Sequence, residues 1–178
     1  MKQLVLIPAV LFVIATMAPA QMNQDKSKRP SPPASAECKF SDGKTVKIDY
    51  SSPRAKGRKI FGGLVPYGEV WRTGADEATT FVASTNVNVG GTEVPAGSYT
   101  IFTIPGSDKW TLIINKKTGE WGIPYKYESD ELARVPMSVS KTSGPVENFT
   151  IGFEQDGRKC SLHLEWENSR AKVEVSEK

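Results

Sequence analysis

Apolar residues recur at every second position through most of this chain, in short runs punctuated by Gly, Pro, Asn and Asp, and that rhythm restricts it to β-structure. Val46, Ile48 and Tyr50 alternate with Lys47 and Asp49, and Phe81, Ala83, Thr85, Val87 and Val89 make a second run. SYTIFTI and KWTLIIN flank the break Pro105, Gly106, Ser107, Asp108, which predicts a hairpin with a four-residue connection. Trp110, Leu112 and Ile114 then share one face. The same period returns in Val135, Met137 and Val139, in Phe149, Ile151 and Phe153, in Cys160, Leu162, Leu164 and Trp166, and in Ala171, Val173 and Val175. Residues 127–134 alone suit a helical turn or two. Eight or so short strands joined by turns imply an all-β domain, an antiparallel β-sandwich or a flattened barrel.

The ends set the boundaries. Residues 1–20 combine Lys2, the apolar run LVLIPAVLFVIA and the small-residue ending Ala18, Pro19, Ala20, the layout of a secretory signal peptide cleaved before Gln21. The apolar run is too short to span a bilayer, which takes roughly 20 residues, so no stable membrane anchor is expected after cleavage. Residues 21–37, QMNQDKSKRPSPPASAE, are polar and rich in Pro and Ser, and read as a flexible, disordered tether. Residues 38–178 then form a single domain, exported to a periplasmic or extracellular compartment. Twenty-two basic and twenty acidic residues remain once Lys2 is removed. That mixed-sign balance argues against a nucleic-acid partner.

Two cysteines, Cys38 and Cys160, lie near the ends of the mature chain, and neither has the CxxC or His company of a reactive thiol. In an oxidising compartment a disulfide between them is the leading expectation.

Residues 50–81, YSSPRAKGRKIFGGLVPYGEVWRTGADEATTF, keep neither a strand nor a helix period while gathering Arg, Lys, Asp, Glu, Trp and Gly. Long ordered segments of that kind more often carry function than packing. The runs SSPRAKGR, FGGLVPYG and WRTGADEAT within it, together with PAGSYTIFTIP further on, resemble the bacterial family catalogued as domain of unknown function 2911. The resemblance spans the mature domain and carries over no activity. It implies that Asn is common where this chain has Asp76.

Candidate ligand-binding residues in and beyond this segment are Arg54, Lys56, Arg58, Trp71, Arg72, Trp121 and Tyr125. Arginine presents a planar fork to carboxylates and phosphates, so Arg54 and Arg72 make an anion site if the loop brings them together. The plainer alternative pairs them with Glu69, Asp76 or Glu77 and leaves Lys56, Arg58 and Lys59 in solvent. Trp71 suits either a stacking platform or a core plug, and Tyr67 shares that ambiguity. Trp121 and Tyr125 lie in a Gly-bracketed loop of the sort that rims pockets.

Catalytic patterns are sparse. His163 is the single histidine and falls on the polar face of its strand, there is no GxSxG elbow, and ligands for a metal are too few. No GxGxxG or Walker run follows a strand, and no cofactor is implied. Asp76 and Glu77 are the candidate acid and base, although neighbours on an extended chain point apart. Three readings follow. One is an exported binding module for a small polar or anionic ligand or an envelope glycan, in which Arg54, Arg72 and at least one of Asp76 and Glu77 share a pocket. The second is an envelope-polymer hydrolase or lyase using Asp76 or Glu77, and the third a structural or assembly protein. Oligomeric state is not legible.

Overall fold

The computed structural model describes residues 25–178, so the expected signal segment lies outside the described residues. Nine strands follow in order: β1 (Pro33–Lys39), β2 (Thr45–Ser51), β3 (Thr79–Ala83), β4 (Val87–Val89), β5 (Thr92–Val94), β6 (Gly97–Ile104), β7 (Lys109–Asn115), β8 (Glu131–Asp156) and β9 (Lys159–Glu177). All neighbouring pairs are antiparallel, and they make one sheet in the order β1-β2-β3-β6-β7-β8-β9-β4-β5. Among the described residues helix is confined to two 3-10 turns, Lys26–Lys28 and Glu128–Asp130. No helix among the described residues is long and apolar enough to cross a membrane.

The all-β, antiparallel expectation holds. The architecture differs from the two forms expected: there is one nine-stranded sheet, and it does not close into a barrel. Instead it curls over its own apolar face. Residues from β2, β3, β6, β7, β8 and β9 meet in one core, with Ile48, Phe81, Ile101, Leu112, Leu164 and Trp166 among its buried members. The curl brings the second half of β8 against the chain around β2. Tyr50 Oη accepts from the Ile151 amide (3.0 Å), Ser52 Oγ donates to the Phe149 carbonyl (2.7 Å), and the Ala55 amide donates to the Glu147 carbonyl (2.8 Å). Cys38 on β1 and Cys160 on β9 are disulfide-bonded with Cα atoms 6.2 Å apart. A link across 122 residues removes about 4 to 5 kcal/mol of unfolded-chain entropy in the simple loop-closure picture.

Three segments differ from the sequence reading. The segment expected as a tether to residue 37 is already strand from Pro33, with Ala36 opposite Ile48 and Cys38 opposite Val46. The run 81–89 is broken at residues 84–86, where the Ser84 hydroxyl accepts from the Thr45 amide and the Asn86 carboxamide oxygen from the Ala96 amide. The two pieces then join different neighbours, β3 beside β2 and β6, β4 beside β5 and β9. Conversely, the last four expected strands are two, because β8 and β9 continue through irregularities near Val146 that shift their register. A bulge inserts a residue and flips the alternation, so one long strand reads as two.

The hairpin is as expected. β6 and β7 pair from Thr100 with Asn115 to Ile104 with Thr111, joined by residues 105–108. The outer face of β6 is covered too: Phe102 is buried under Tyr125 and Tyr127, at 4.8 and 6.0 Å between ring centroids, from the loop after β7. Trp110 on β7 is 2 % exposed. Trp110→Ala should therefore cost about 3 to 5 kcal/mol in urea unfolding. A loss below 1 kcal/mol would contradict this packing.

Candidate functional site

The aperiodic segment owes its order to Trp71. Its backbone exchanges two hydrogen bonds with Thr103 at the end of β6 (2.8 and 2.9 Å), which holds it extended against the sheet. Its indole stacks on Trp166 at 5.9 Å and 19°, meets Phe149 and Phe61 edge-on at 4.8 and 6.1 Å, and donates from Nε1 to the Gly74 carbonyl (3.1 Å). Trp71 is thus chiefly a core plug. One residue on, Arg72 points the other way, as neighbours on extended chain do.

Before Trp71 the chain makes a tight loop in which Ile60, Phe61 and Val65 turn inward and Leu64 turns out. The Lys59 and Ile60 carbonyls accept from the Leu64 and Val65 amides at 3.1 and 2.9 Å. At Gly63 a Cβ would lie 2.5 Å from the Lys59 carbonyl oxygen, so the loop closes only on glycine. After Trp71 the backbone is strained. Thr73, with φ 58°, is fully buried, its hydroxyl 3.1 Å from that of Thr103, and Asp76 has φ 55°. Left-handed backbone is costly for a β-branched Thr, and Asp and Asn tolerate it best, so an Asn at position 76 satisfies the same turn. Asp76 therefore reads as a conformational requirement.

The loop after β7 closes the far side. Gly122 lies so near Arg72 and Ala78 that a Cβ there would sit 3.1 and 2.9 Å from theirs. Trp121 is thereby presented to Arg72, whose guanidinium lies 5.0 Å from the centre of the indole ring. Arg72 Nη1 donates a long 3.5 Å bond to the Trp121 carbonyl.

Between these loops runs a groove of about 490 Å³, whose lining includes Arg58, Arg72, Glu69, Trp71, Leu64 and Ile123. Its charges are what set it apart. None of the ion pairs among the described residues includes Arg54, Arg58 or Arg72. Arg58 is tied to the backbone, Nε donating to Ala55 (3.0 Å) and Nη2 to Arg54 (2.6 Å). Arg72 is half-buried, and burial lowers its pKa against the opposing pull of the Asp76 and Glu77 carboxylates. Two other concavities hold mostly paired charges. In one, of about 330 Å³, Lys26 meets Glu77 and Asp49 meets Lys47; in the other, of about 360 Å³, Lys159 meets Glu174 and Lys172 meets Glu154.

The expected constellation is rearranged. Arg54 does not line the groove; its Nη1 donates to the Ser52 carbonyl and hydroxyl at 2.8 and 2.9 Å. Lys56 is exposed and places its amide on Glu147. Tyr125 does not line the groove either: its hydroxyl donates to Glu131 at 2.6 Å, and burial followed by that carboxylate raises its pKa. Asp76 and Glu77 also face away, and Glu77 lines the smaller concavity. Its partners come from the segment read as a tether: Arg29 at 2.7 Å and Lys26 at 3.2 Å, with Asp76 4.0 Å from Arg29. The Arg29 hydrogen bond above all pulls the Glu77 pKa down to about 2. A carboxylate held ionised between two cations is ill-suited to general acid or base work near neutral pH. His163 packs against Gly152, its cross-strand partner, and does not line the groove.

These features define an all-β domain with an open groove whose arginines have no carboxylate partner among the described residues. Residues 31–175 match the family model described as protein of unknown function (DUF2911), and the chain belongs to that family. No curated protein and no solved structure matches it.

The latch from Arg29 to Glu77 makes a pH-dependent contribution of definite sign. Because the folded pKa lies below the ordinary 4.5, its contribution is present above about pH 4.5 and is lost as the pH falls towards 2. The Glu77 side-chain carboxyl, followed by carbon NMR, should show no inflection above about pH 3, and Arg29→Gln should move its midpoint up towards 4.5. A wild-type midpoint near 4.5 would rule the latch out.

Proposed function

We propose that this protein is an exported binding module that captures the anionic group of a small ligand in the groove, with Arg72 as the principal cation and Arg58 as the second. The observation that carries this reading is a half-buried Arg72 with no carboxylate partner among the described residues. A desolvated cation is costly unless paired, and a ligand anion supplies the pair. Its guanidinium keeps free N–H donors, suited to a bidentate hold on a carboxylate or phosphate. The disulfide accords with an oxidising compartment, as export requires. Strain at the β-branched Thr73, next to the proposed cation, is of the kind that accumulates where geometry serves a ligand.

The test is a calorimetric or thermal-shift panel of monocarboxylates, inorganic phosphate and neutral sugars. At least one anion should bind, and Arg72→Gln should weaken it about 10- to 100-fold, the value of a charge-assisted bond. Preferential binding of neutral sugars with no effect of Arg72→Gln would overturn the anion reading. Turnover of an envelope polymer that vanishes in Glu77→Gln would replace it with catalysis.

A further inference from the structure

Four large apolar side chains stand out as exposed among the described residues: Leu64 at 49 %, Tyr67 at 49 %, Trp121 at 53 % and Ile123 at 47 %. All four belong to the two loops that bound the groove. Leu64 and Ile123 line it, Tyr67 follows the lining residue Pro66, and Trp121 lies under the Arg72 guanidinium. A concentration of this kind around one concavity marks a surface that is covered in use. Below the rim the lining stays apolar, through Val65, Val70 and Ala75 down to Trp71 and Trp166. Its size falls within the roughly 300 to 1,000 Å³ of small-molecule sites.

The chemistry of the walls selects among anions. A glycan requires many directed donors and acceptors, and the side chains here offer few besides the arginines, chiefly Ser31 and Glu69. Inorganic phosphate would satisfy Arg72 and leave the apolar lining exposed. An occupant that answers both has one anionic head and an unbranched apolar body.

We propose that the groove binds a single-chain amphiphilic monoanion, a free aliphatic carboxylate, with its head at Arg72 and its chain against Leu64 and Ile123. This rests on the anion-binding reading above and adds the class of ligand to it. Leu64 and Ile123 set the preference for chain length. Arg72 discriminates acid from ester.

The test measures affinities of the full mature protein for straight-chain carboxylates of about four to twelve carbons, below their micellar concentrations, and for the methyl esters. Affinity should rise with each methylene by up to about fourfold, the equivalent of about 0.8 kcal/mol, until the groove is filled. The esters and Arg72→Gln should lose at least tenfold. Leu64→Ser and Ile123→Ser should flatten the dependence on chain length while leaving the thermal midpoint unchanged, since both side chains are half-exposed. Arg72-dependent affinity that does not vary with chain length would overturn the amphiphile and leave anion binding standing. Chain-dependent affinity indifferent to Arg72→Gln and to esterification would overturn both, whereas no binding across the series would overturn the amphiphile and leave the anion reading to inorganic phosphate.

Discussion

The stack of Trp71 on Trp166 is the contact on which the candidate site depends. Twenty-seven residues lie between the end of β2 and the start of β3, too many for an ordinary loop to hold one shape unaided. Here the stretch is nailed to the core midway, by an indole set among Phe61, Trp110, Phe149 and Trp166 and by two backbone bonds to Thr103. Large aromatic contacts of this kind contribute beyond their buried area. Because Trp71 faces in on extended backbone, Arg72 must face out. The anchor thus fixes the cation as well as the loop.

Charge pairing completes the arrangement. Arg29 and Lys26, ahead of the first strand, take up Glu77 and approach Asp76. With those acids engaged, Arg72 feels their field without an ion pair and leans on the face of Trp121. The segment around residues 25–32 therefore does more than lead into the sheet. It draws the acids that follow the groove's cation, Glu77 above all, away from it.

Much of the sheet was legible: β2 buries one face and alternates, β6 and β7 are apolar runs flanking a turn and are buried on both faces, and the cysteines paired as their isolation suggested. The exceptions have distinct physical causes. β1 has a signal, Ala34, Ala36 and Cys38 alternating with polar residues, but small side chains give it little hydrophobic contrast and Pro32 and Pro33 suggest a linker. Bulges in β8 hid its continuity. For the candidate site, composition pointed to the segment from which Arg58, Trp71 and Arg72 line one groove. Arg54 was placed with them on sequence spacing, which says nothing of direction. Arg29 and Lys26 are 48 and 51 residues from Glu77, a pairing no local pattern records. Leu64 and Ile123 passed unnoticed because single apolar residues in loops carry no period.

If the Trp71 anchor makes residues 59–72 part of the cooperative fold, the groove is formed before any ligand arrives. Native-state hydrogen exchange of the unliganded protein tests it most directly. The amides of Gly62, Val65 and Trp71, bonded to Val65, Ile60 and Thr103, should exchange with the same opening free energy as the β6 and β7 amides, through global unfolding. Exchange of those three amides hundreds of times faster than the β6 and β7 amides would show a loop that opens independently of the sheet, and would contradict it.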